Sequence, residues 1–155
     1  MPAKRRRKVY LRIDPKQSKW WNLYVASMEC NRSWRSARLF RRRFGLPWIK
    51  FRELLDEAKE NDWFPSFSGR PDVSGRPGAP LELLLLGALR YLRRGWTFDD
   101  LSECTGISEE VHRKFFHDFI RVGSTTLFTR LIYSFFSMEC LLLPYFVSFQ
   151  VRTHA

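Results

Sequence analysis

The chain has 155 residues, 45% apolar and 28% charged, with a formal net charge of +11. That apolar content supports one domain with a modest packed core and excludes wholesale disorder. The three cysteines, Cys30, Cys104 and Cys140, lie far apart with no CxxC pair. Neither a disulfide framework nor a zinc site is indicated, and no cofactor is expected.

The charge is unevenly placed. Residues 1–52 hold 16 Lys/Arg against two acids, a net of +14, and residues 53–155 hold 11 against 14, a net of −3. A basic third of this kind suits a polyanion, with nucleic acid first and an anionic membrane surface second. The N-terminus carries charge without an apolar core segment, which does not suit a secretory signal. Residues 1–32 are expected as a basic flexible arm. Within it, "KRRRK" at 4–8 places Arg5, Arg6 and Arg7 in a run that fits nuclear import or phosphate binding. A solvated charge run is the plainer alternative.

Residues 33–64 read as a helical hairpin. In "SWRSARLFRRRF", Ser33 is a candidate cap, and Trp34, Ala37, Leu39, Phe40 and Phe44 form a partial apolar stripe. Arginines, including Arg41, Arg42 and Arg43, cover the remaining surface, and Gly45 suits the position that ends the helix. Pro47 then fits the first turn of a second helix, with Phe51, Leu54, Leu55 and Ala58 at i, i+3, i+4 and i+7. Residues 65–79, dense in Pro and Gly, are a linker.

Residues 80–128 carry the most organised pattern. Leu81, Leu84, Leu85, Ala88, Leu89 and Leu92 make a wide stripe on a helix over 80–95, closed by Arg93, Arg94 and Gly95. Thr97 and Asp100 suggest a capping box opening a short helix over 98–104. Gly106 supplies a left-handed turn, Ile107 a plug and Ser108 the cap of a last helix facing inward through Val111, Phe115, Phe119 and Val122. The order is that of a helix-turn-helix. The outward face of the last helix would present Arg113, Lys114, His117 and Arg121 to phosphates and base edges. Residues 80–122 nevertheless balance six Lys/Arg against seven acids, and a purely structural three-helix bundle is the competing reading. His112 and His117 sit on different helix faces, so His112 reads as a buried, hydrogen-bonded residue and not as a metal ligand.

"FRRRFGLP" at 40–47, "LLDEAKENDWF" at 54–64, "GRPGAPLELLLLGALRYLRRGWTFDDL" at 75–101 and "TGISEEVHRKFFHDF" at 105–119 resemble the region that precedes the catalytic domain of Harbinger-type transposases. The resemblance implies a helical DNA-binding module, here a non-catalytic fragment acting on transposon ends in the nucleus. It also implies a separate Myb-like partner protein, so protein contact is the alternative role. The family's nuclease would follow with its metal-binding acids. Here Glu139 is the only acid after Asp118, too few for two-metal chemistry, and no catalytic residue carries over.

The apolar tail, 129–155, has three readings: an element packed on the bundle, a membrane anchor over 131–149, or translated sequence of a decayed transposon copy. Glu139 and Pro144 weigh against a span, since a central acid costs roughly 2–3 kcal/mol. The expected fold is all-α.

Overall fold

The computed structural model describes residues 14–30, 33–67 and 78–127, and every regular element among them is helical, with no strand. A π-helical stretch, Trp21–Ala26, runs into α1 (Ser27–Cys30); α2 (Trp34–Phe44) and α3 (Trp48–Glu60) follow. After a 3₁₀ turn at Pro65–Phe67 come α4 (Leu81–Arg94), α5 (Phe98–Thr105) and α6 (Glu109–Val122), then a π-helical turn at Gly123–Leu127. The all-α expectation holds. The chain divides into two compact units, residues 1–116 and 117–155.

Local chemistry sets the helix ends. The Ser33 side chain accepts from Ser36 N–H at 3.2 Å and caps α2. Gly45 closes α2 at φ 88°, a left-handed conformation that a side chain would oppose, and its N–H donates to the Arg41 carbonyl at 2.9 Å. Gly95 and Gly106 close α4 and α5 in the same way. Thr97 and Asp100 form a reciprocal capping box: the Asp100 N–H donates to Thr97 Oγ1 at 3.1 Å, and the Thr97 N–H donates to Asp100 Oδ2 at 3.0 Å. Pro47 stands one residue earlier than expected, at the N-cap of α3.

The core is built around α4, which packs on α2, α3 and α5. Leu83, Leu84, Leu85, Leu86, Gly87 and Ala88 are buried in succession. The expected stripe is corrected here: Leu83 and Leu86 are fully buried, Leu81 and Leu89 only partly, and Leu92 is exposed. A helix with neighbours on three sides is buried around most of its circumference, so one stripe cannot describe it. On α3, Trp48, Phe51, Leu55 and Ala58 are buried; on α6, His112, Phe115 and Phe119 are buried.

Two of the expected boundaries are corrected. Residues 14–30 are not a flexible arm: they are largely helical, with Trp20, Tyr24, Val25 and Met28 buried. Trp20 packs edge-on against Tyr24 and Phe44, and Tyr24 against Phe40 and Phe44, at centroid separations of 5.0–6.4 Å. Each of these four buried side chains offsets part of the entropy lost on ordering the segment, at about 1.5–3 kcal/mol apiece. The expected linker also begins inside the fold, because the Phe67 ring meets Phe115 at 5.2 Å. Residues 1–13, 68–77 and 128–155, including Arg5, Arg6, Arg7 and the apolar tail, lie outside the described residues. Among the described residues no helix is long and apolar enough to cross a membrane.

Candidate nucleic-acid interface

On α2, Phe40 and Phe44 are the only buried side chains, and they define its inward edge. At 100° per residue, Arg35, Arg38 and Arg42 fall on the opposite side, within about 60° of one another. Arg35, Arg38, Arg41, Arg42 and Arg43 are all exposed, and α2 contains no acid. Among the described residues, none of Arg35, Arg38, Arg41 and Arg42 has a carboxylate within ion-pairing distance.

Arg43 differs from its neighbours. Its guanidinium donates to the Tyr24 hydroxyl and lies over the Tyr24 ring, 5.5 Å from the centroid. Burial pushes the Tyr24 phenol up, and the Arg43 charge works against that rise. Arg43 therefore ties α2 to the segment before α1 and is the least available of the five for a ligand.

The last turn of α4 meets the last turn of α2. Arg90 Nη1 donates to the Arg43 carbonyl at 3.1 Å, and its guanidinium lies 4.3 Å from the Trp96 ring centroid. Burial first, then repulsion from Arg43 and Arg94, lowers the Arg90 pKa. Its Nε is buried without a hydrogen-bond partner. The Arg93 stem passes Gly45 so closely that a Cβ there would sit 3.5 Å from Arg93 Cδ. Two helix C-termini thus converge with arginines on both, complementing the carbonyl ends of the helix dipoles and concentrating positive charge.

The expected recognition helix is electrostatically different. Arg113 pairs with Glu110 at 2.9 Å and approaches Glu109 at 3.9 Å; Lys114 pairs with Glu110 at 3.5 Å. In the second unit, Arg121 pairs with Asp118 at 3.1 Å and His117 is exposed. Three cations meet three acids along α6. Exposed pairs at this spacing add only about 0.3–0.5 kcal/mol to the helix, but they cancel the field that draws in phosphate.

The sequence pattern puts Trp34 in an apolar stripe and Arg35 and Arg38 on the helix surface with no binding role, but Trp34 is 73% exposed. Angular position relative to Phe40 and Phe44 is the signal that separates the faces, once those two are known to be the buried pair.

Among the described residues, Thr105, His112 and Cys104 are buried or half-buried. Thr105 donates to the Leu101 carbonyl at 2.7 Å and accepts from Ile107 N–H at 3.2 Å. With that proton committed, the 2.8 Å contact to His112 requires Nε2–H as donor. Cys104 is half-buried, and burial pushes its thiol up. No three His, Cys, Asp or Glu side chains converge among the described residues. An open groove of about 470 Å³ near Lys59 and Phe64 is lined by Lys59, which pairs with Glu82 at 2.8 Å, by Lys16, which lies over Trp21, and by the exposed Asp62.

No family model, curated protein or solved structure matches this chain.

Proposed function

We propose that the chain is a non-catalytic nucleic-acid-binding module in which the arginine face of α2 holds the phosphate backbone of DNA. One observation carries this reading: α2 presents exposed arginines without acidic partners, whereas the cations of α6 are ion-paired along their own helix. An unpaired guanidinium brings its full charge to a phosphate and releases a counterion, while a paired one must first give up its carboxylate. The resemblance to the region before the nuclease of Harbinger-type transposases supports DNA as the polyanion, with transposon ends as the sites. The basic run at 4–8 supports a nuclear location.

The deciding measurement is affinity against salt concentration. Replacing Arg35, Arg38 and Arg42 together with Ala is expected to weaken binding to any duplex and to reduce the slope of log affinity against log salt by about three. Replacing Arg113 and Lys114 should change the slope by less than one. If the triple variant keeps the wild-type slope, α2 is not the contact surface.

The paired charge on α6 supports a second reading, in which the three-helix unit contacts a protein such as the Myb-like partner implied by the resemblance. That reading gains if the α2 variant binds DNA normally.

A further inference from the structure

Trp34, the first residue of α2, is the most exposed of the large apolar side chains described, at 73%. Trp20, Trp48 and Trp96 are held in ring pairs, and Trp21 lies under Lys16. The Trp34 ring is in no ring pair or cation contact among the described residues. Arg38 and Arg41 follow it on the same side of the helix, about 6 and 10 Å along the axis. An indole in open water beside a row of unpaired guanidiniums has no role in the core.

Two ligand surfaces would cover it differently. A membrane surface needs a continuous apolar face. Trp34 and Leu39, the exposed large apolar side chains of α2, lie about 140° apart, with Arg35, Arg38 and Arg42 between them. A continuous duplex offers only base edges in its grooves, since its base faces are already stacked. An unpaired base offers a free π-face, and base–indole stacking beside a backbone-tracking basic row is the usual arrangement in single-strand binding.

We infer that the α2 surface prefers DNA with unpaired bases, with Trp34 stacking on a base while Arg38 and Arg41 hold the flanking phosphates. The inference rests on the reading of α2 as the phosphate-binding face and names the form of DNA that face selects.

The test titrates the full chain with an oligothymidylate strand and with a duplex of equal length. Trp34 is exposed, so its replacement leaves the core intact. Wild type should bind the strand more tightly than the duplex. Trp34→Ala should lose about tenfold on the strand, the order expected for one stacked base, with little change on the duplex. Trp34→Phe should recover most of the loss, because a phenyl ring still stacks. If wild type shows no preference for the strand, or if Trp34→Ala weakens both ligands equally or neither, the inference falls while the phosphate-binding reading stands. If wild type binds neither ligand, both fall together.

Discussion

His112 shows how one residue ties local geometry to stability. It is 2% exposed, donates to Thr105 and faces Gly87, where an added Cβ would lie 2.9 Å from its Nδ1. Only glycine lets α4 approach the imidazole so closely. Burial lowers the His112 pKa from 6.5 to about 4. The unfolded chain therefore takes up a proton here at higher pH than the folded one. The sign follows from linkage: stability is complete above pH 6.5, falls as pH drops toward 4, and falls no further from this group below that. The full effect is of order 3 kcal/mol. Urea midpoints measured across this range should decline for wild type and stay much flatter for His112→Gln. Equal declines in the two proteins would show that other groups set the acid sensitivity.

At the scale of single elements, what was legible in the sequence was what is decided locally. The capping box at Thr97 and Asp100, the serine cap of α2 and the glycine ends of α2, α4 and α5 depend on residues within one turn, and all are present. What was not legible depends on neighbours. Trp34, Ala37 and Leu39 fit an apolar stripe as well as Phe40 and Phe44 do, but only the last two are buried. For the same reason Leu83 and Leu86 were missed: the packing of α2, α3 and α5 around α4 cannot be read from α4 alone. The α5 cap offers a direct check at this scale. Asp100 accepts from the Thr97 hydroxyl at 2.8 Å as well as from its N–H, and those bonds hold its carboxyl below the usual range. Thr97→Ala removes the cap and is expected to cost about 1 kcal/mol, seen as a lower urea midpoint with an unchanged slope. Thr97→Ser should cost little. If Thr97→Ala leaves the midpoint where it was, α5 is held by its packing alone.

For the molecule as a whole, the segment before α2 was misread because charge obscured periodicity. Trp20, Tyr24 and Met28 recur at i, i+4 and i+8, a helical signal set beside eight cations in residues 1–19. That segment supplies Trp20, whose ring meets Tyr24, Phe44 and Trp96 at 5.5–5.8 Å and so links it to α2 and to the turn after α4. The arginine face of α2 therefore stands on a platform that includes residues 14–30, and the positions of its guanidiniums depend on that packing. Trp20→Ala should destabilise the chain by about 3–5 kcal/mol, as for a large aromatic removed from a core. Leu23 lies three residues away and is 47% exposed; Leu23→Ala should change stability by less than about 0.5 kcal/mol. Paired denaturant titrations of the two variants decide the matter, because a free arm predicts that both are silent. A Trp20→Ala protein as stable as wild type would return residues 14–30 to the status of an arm and remove the platform from under the α2 surface.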